Sequence, residues 1–381
     1  MALYFTSRQA RRAWLLGVSA TIVILAACQT GPRGPTEPTG IEPPPVPAGQ
    51  ETNEVAVIVP LTGPDGAVGS SIANAARLAL LDTGEKTIRI QVYDSNRSGG
   101  GAAAAQQAIA DGNRLILGPL LAEDVRAAAP VARRAGIPVI AFSNDESVAG
   151  DGVYIMGFTP DQSISRVVAF ARSKGVNSFG GLVPTGLYGQ RAAQSLIGAV
   201  RRSGGRVASI ESFDRSPASL AAAVRRLNAK GPVDAVLIGD SSRMAALAGP
   251  ALTVGPRKLG TELWASDRKI GKTASMRGAW YAAAPDVQYD RLVVRYKARY
   301  GKSPYRLASL GYDAVLLAVR SARIWPIGRA FPAKSLIDKD GFAGVDGNFR
   351  FVKDGIAERL LEVRQVNAAN TSVVSPAGTV F

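Results

Sequence analysis

The sequence predicts a two-lobe α/β protein whose parallel sheets are flanked by helices, set behind an export signal and a proline-rich linker. Three observations carry that expectation. Short runs of continuous Val, Ile and Leu alternate with segments whose apolar residues recur at helical spacing, the pattern of strands buried on both faces and covered by helices. The alternation runs through once and starts again near Phe179. Roughly 330 residues follow the linker, more than one core usually supports.

The first 27 residues have the layout of an export signal. Arg8, Arg11 and Arg12 form a positive start, and an apolar run from Ala13 to Ala27 follows without a charge. That run is too short for a secure membrane span and closes on small residues, as a processed signal does. Leu25-Ala26-Ala27-Cys28 resembles the lipobox of bacterial lipoproteins, in which the cysteine directly after the cleavage point takes the lipid. An uncleaved signal anchor is the alternative. Cys28 is the only cysteine of the chain, so no internal disulfide is available and anchoring is its simplest use. Residues 28–53 hold seven prolines spaced by Gly, Thr and Glu, and read as an extended tether that cannot bury a core.

Beyond the tether the strands expected are Val55–Leu61, Ile88–Tyr93, Leu115–Leu117, Pro138–Phe142 and Tyr154–Phe158. Helices are expected between them at Ser70–Leu81, Ala102–Asp111 and Leu121–Ala135. The second round places strands at Phe179–Pro184, Arg206–Phe213, Ala235–Gly239, Glu262–Ala265 and Ala279–Ala283, with helices at Leu187–Ser203, Pro217–Ala229 and Ser242–Ala248. Helices Gln288–Tyr300 and Ser309–Ser321 follow. Gly341–Phe351 and Arg359–Val366 then read as paired strands around the turn Lys353-Asp354-Gly355. The lobes are expected as 54–159 plus 286–340 and 160–285 plus 341–370, with a tail over 371–381.

Composition narrows the chemistry. The chain has no histidine, which removes Ser-His-Asp and Cys-His catalysis and the commonest metal ligand. With one cysteine a thiolate metal cage is impossible. No residue set assembles a nucleophile, a base and an oxyanion site, so the expectation is a non-enzymatic protein without cofactor or metal. The formal charge is +15, and +12 once the three signal arginines are removed. Export excludes nucleic acid as the partner of that charge. Anionic lipid, cell-wall polymer or an acidic protein surface remain, beside a plain compositional bias toward Ala, Arg and Gly.

Val57-Ile58-Val59-Pro60-Leu61-Thr62-Gly63 with Gly69, then Leu117-Gly118-Pro119, Gly136-Ile137-Pro138-Val139-Ile140-Ala141-Phe142-Ser143, Tyr188-Gly189 and Tyr312-Asp313-Ala314 follow one another in a distinctive order. With the closing Phe342–Phe351 segment they resemble the type 1 periplasmic binding proteins, the group that includes leucine/isoleucine/valine receptors. The resemblance implies two Rossmann-like lobes joined by three crossovers and closing like a hinge. Within that group the stretch from Leu117 to Phe158 looks most like penicillin-binding protein activator lipoproteins, although the helical-repeat domain of their best-known member is absent here. That likeness implies a regulator of peptidoglycan synthesis that docks a class A penicillin-binding protein. The alternative is a receptor feeding the permease of an ABC importer with a branched-chain amino acid or similar small solute. Gln29 is not the aspartate that retains similar lipoproteins in the inner membrane, so the expected location is the periplasmic face of the outer membrane.

In this architecture a ligand lies at the carboxy ends of the strands, between the lobes. Gly63, Gly66 and Gly69 precede a helix start, where free N–H groups could hold an anion, or they simply make the turn. The loop at Leu121 carries Leu120 and Ala122 where similar receptors place hydroxyls for a substrate carboxylate. Ser143 and Asn144 either line the cleft or cap the next segment. Tyr188 either covers a ligand or packs in the core. Asp240 either meets an ammonium group or caps the helix beginning near Ser242. Asp313, inside an apolar helix, reads as a structural hydrogen-bonder.

Overall fold

In the first strand, β1 (Asn53–Val59), alternate residues go to opposite faces and both faces are covered. Val55, Val57 and Val59 pack with α1 (Gly66–Thr83) and the late helix of the lobe, whereas Ala56 and Ile58 pack with the next two helices. Continuous aliphatic strands are what such a doubly covered parallel sheet requires. The computed structural model describes residues 52–254, 257–267 and 269–381. The signal, Cys28 and the tether up to residue 51 lie outside the described residues. Asn53, expected as the last tether residue, already belongs to β1 and is buried.

The chain continues through β2 (Ile88–Asp94), α2 (Gly100–Ala110), β3 (Leu115–Leu117), α3 (Ala122–Arg134), β4 (Val139–Ala141) and β5 (Val153–Ile155). These strands form one parallel sheet in the order β2-β1-β3-β4-β5. The second lobe repeats the plan with α4 (Pro160–Ser173), β6 (Ser178–Pro184), α5 (Leu187–Arg202), β7 (Arg206–Phe213), α6 (Pro217–Asn228), β8 (Ala235–Ile238) and α7 (Ser242–Ala248). It is completed by β9 (Arg257–Gly260) and β10 (Trp280–Ala283). Its order, β7-β6-β8-β9-β10, reproduces that of the first sheet. The chain then returns to the first lobe with α8 (Val287–Tyr300) and α9 (Ala308–Ala322).

Four elements differ from the sequence expectation. Glu262–Ala265, expected as a strand, is a short 3-10 turn over Glu262–Trp264, and the strand lies just before it at β9. Arg257 and Lys258 hide that strand from a hydropathy pattern, and the sheet accommodates Arg257 by setting its guanidinium carbon 3.9 Å from the centre of the Trp280 ring. Helix α4 goes unassigned in the sequence, although Thr159-Pro160 and the spacing of Ile164, Val167, Val168 and Ala171 mark it. Residues 341–370 do not form one piece of the second lobe. β11 (Phe342–Gly344), β12 (Gly347–Phe351) and β13 (Ala357–Arg359) make a small antiparallel sheet whose Phe342, Phe349 and Phe351 belong to the first lobe's core. Only β14 (Glu362–Val366) joins the second sheet, antiparallel to β10, and the expected tail supplies β15 (Thr371–Ser375) at its edge.

The lobes are joined by three crossovers, near residues 156–159, 284–286 and 360–361. Arginines of the third reach the other two. Arg359 donates to Met156 O at 2.7 Å, and its guanidinium lies 4.6 Å from the Phe158 ring. Arg364 donates to Ala284 O at 3.1 Å and pairs with Asp286. Beneath them Arg306 meets the fully buried Asp346 at 2.6 Å, and Asp313 accepts Val345 N–H at 2.7 Å, the structural role expected of it. Among the described residues no helix is long and apolar enough to cross a membrane.

Candidate functional site

Both sheets change direction between their first and third strands, and chains leaving a parallel sheet there open a crevice at the strands' carboxy ends. Each crevice is lined by a helix that starts unusually close to its strand. A Cβ on Gly69 would stand 1.7 Å from Pro60 O, and one on Gly189 would stand 1.5 Å from Pro184 O, so only glycine fits either position. The two glycines occupy matching places in the two lobes. They bring α1 and α5 down onto the loops that form the cleft walls.

In the first lobe Gly63 adopts a positive φ of 70° and makes the turn after β1. The neighbouring Leu61 N–H and Thr62 hydroxyl both donate to Asp94, which holds this loop. Leu121 is the residue before α3 and places no hydroxyl or other polar side chain there. Ser143 is buried, and its Oγ accepts the Asp145 N–H at 3.1 Å, a local turn contact. Asn144 is exposed and lines a cavity of about 190 Å³ with Glu146 and with Asp161, Arg191 and Ser195 of the second lobe. Asp145 bridges the lobes there: it pairs with Arg126 of its own lobe and with Arg191 of α5 at 3.4 Å. Burial pushes the Asp145 pKa up, but the Ser147 hydrogen bonds and the two guanidinium charges outweigh it and hold the carboxyl below its ordinary value.

The second lobe gathers the denser polar group. Tyr188 and Asp240, both singled out in the sequence, come together with Thr261, Glu262 and Arg215, which were not. Tyr188 Oη lies 3.4 Å from Thr261 Oγ1. Burial, then the nearby Glu262 charge, raise the Tyr188 pKa well above its usual value, so the phenol stays a neutral hydrogen-bonding group. Asp240 takes Arg215 Nε at 2.8 Å and Ser241 N–H at 2.6 Å. The helix cap weighed for it belongs to Ser241, which accepts Met244 N–H. Arg215 itself has φ 69°, a left-handed backbone uncommon for a residue with a side chain and met disproportionately at functional sites.

Glu262 is the residue that sequence reasoning missed. Its apolar followers Leu263-Trp264-Ala265 mask it as part of a strand, whereas Thr261 in fact caps a 3-10 turn that brings it to Ser163. Burial raises its pKa to about 7, against the opposing effect of the Ser163 hydroxyl that donates to it from the start of α4. No Arg or Lys among the described residues pairs with it. A largely covered carboxylate without a cation is costly to keep ionised, which is why its pKa rises.

The periplasmic binding protein family matches residues 52–371. The leucine-binding protein LivK of Thermotoga maritima superposes with a TM-score of 0.65 at 19% identity, over 86% of this chain and 99% of that one. A solute-binding protein of an ABC transporter from Rhodopseudomonas palustris, in complex with 3,4-dihydroxybenzoic acid, superposes with a TM-score of 0.68 at 19% identity, over 87% and 99%. LivJ of Streptococcus pneumoniae, in complex with isoleucine, gives 0.64 at 18% identity, over 86% and 100%. An uncharacterised protein of Rickettsia prowazekii is 25% identical over 179 residues, and the match covers 47% of this chain and about half (48%) of that curated relative. Repeated sheet order, three crossovers and a family match across most of the folded chain agree: the chain belongs to the periplasmic binding proteins, with the type 1 architecture.

Proposed function

We propose that this chain is the solute-binding component of an ABC importer and takes a small amino-acid-like solute between its lobes. One observation carries the proposal: Glu262, a covered carboxylate without a cationic partner among the described residues, stands beside Tyr188 at the carboxy end of β9. It receives the ammonium end of the solute, while Tyr188 covers it. Relatives of this fold that bind leucine or isoleucine support the ligand class. Export and lipid anchoring through Cys28 belong to the same proposal, whereas placement on the periplasmic face of the outer membrane goes with the second reading below.

The test is a thermal-shift screen of amino acids, amides and short peptides. A solute present at a hundred times its dissociation constant adds about 2.7 kcal/mol to the folded state, a readily measured upshift. The upshift should weaken as pH falls below about 7, where Glu262 takes a proton, and Glu262→Gln should abolish it. A flat screen overturns the receptor reading. The apolar Leu120-Leu121-Ala122 loop, with the sequence likeness to activator lipoproteins, favours a second reading: regulation of a class A penicillin-binding protein by docking. Direct binding of such a synthase by the purified chain, beside a flat screen, would select it.

A further inference from the structure

The segment after α9 presents a surface unlike the rest of the first lobe. Ile324 is 62% exposed, Ile327 41% and Ile337 47%. A groove of about 570 Å³ runs between Ile324 and Ile337, lined also by Arg323, Lys334 and Lys339. Single exposed aliphatics are ordinary, but two lining one basic groove, with Ile327 three residues beyond the first, mark an interaction surface. Arg320 in the same groove is answered by Asp338. Arg323, Lys334 and Lys339 have no carboxylate partner among the described residues, so the groove keeps a positive surplus beside Asp340.

The fold ties this surface to the point where the tether meets the body. Asn53 Nδ2 donates to Trp325 O at 3.1 Å, and its Oδ1 accepts Gly328 N–H at 3.0 Å. The chain therefore enters the described structure against the 325–328 turn, next to Ile324 and Ile327. From Gln29 to Glu51 there are 23 residues.

We propose that the Ile324–Ile337 groove is a membrane-docking surface that takes anionic phospholipid headgroups with its cations and sets its isoleucines at the acyl boundary. Cations contribute additively near an anionic surface, and short aliphatic side chains add shallow burial. Anchoring at Cys28 would supply only a high local concentration. The proposal is independent of the solute site.

The experiment uses the chain from residue 28 with Cys28→Ser, so that no acyl chain contributes, in flotation with vesicles of equal parts phosphatidylcholine and phosphatidylglycerol. The chain should float with these vesicles and lose binding in high salt or on phosphatidylcholine alone. Joint Arg323→Glu, Lys334→Glu and Lys339→Glu changes should lower binding roughly a hundredfold. The same charge change at exposed Arg201, Arg225 and Lys230 of the second lobe should leave most of it. Absence of flotation overturns the proposal. So does an equal loss in both triple variants, which would assign binding to overall basicity, or capture of a protein at this face without vesicle binding.

Discussion

Asp313 and Asp346 lie buried together beneath the crossovers, beside the Arg306 and Arg359 guanidinium groups. Burial, and then the charge of Asp346, raise the Asp313 pKa to about 7. Its folded-state pKa therefore exceeds its unfolded value near 4, so the folded protein binds a proton that the unfolded chain has released between those limits. Stability should fall as pH rises from about 4 to 7, by at most about 1.4 kcal/mol per pH unit for one proton. Lowered carboxyls such as Asp145 and Asp94 act in a separate window, losing their contribution only as pH drops below about 4. Asp313→Asn keeps an acceptor for Val345 N–H and removes one of two raised carboxyls, Glu262 being the other, so the urea midpoint should decline toward pH 7 about half as steeply. An unchanged slope would place the titration elsewhere. At this scale the sequence was partly legible. Tyr188 and Asp240 follow apolar strands and so stand out, whereas Glu262 and Arg215 owe their places to a capped turn and a left-handed backbone that no hydropathy pattern records.

Among the elements, β3 was readable to the residue and β6 within one, whereas β1 lies two residues earlier than expected because the polar Asn53 and Glu54 join its ladder. β9 was not, since it opens on Arg257 and Lys258, and Arg257 is accommodated by the Trp280 ring and the Gly278 carbonyl. The hairpin β11–β12 was visible as strands but not as first-lobe material: Phe342 and Phe349 show apolarity, not which core they enter. Close approach of helix to strand is a further element-level property. Gly189 permits α5 to sit on the Pro184 carbonyl, and Gly189→Ala forces that contact apart. The variant should lose about 2 kcal/mol or more of stability and weaken any cleft ligand by displacing Tyr188. Chemical denaturation and the thermal-shift upshift read the two effects separately.

In the whole molecule the Asp145–Arg191 pair is a direct tie from the first lobe's β4 loop to α5. Arg126 remains on Asp145 when Arg191 is removed, so Arg191→Ala releases the lobes without stranding a buried carboxylate. A partly exposed pair contributes about 1 kcal/mol at most, enough to shift a two-state hinge roughly fivefold. The ligand-free variant should show a larger radius of gyration in small-angle scattering, and identical profiles would remove the pair from the hinge balance. The interleaving of the lobes along the chain has a kinetic side. The first sheet is fully synthesised by Ile155, yet its core waits for Phe342, Phe349 and Phe351, while the second sheet waits for β14 and β15. A growing polypeptide of this design can complete neither core nor sheet until its closing segment arrives, so both lobes must fold together at the end of synthesis.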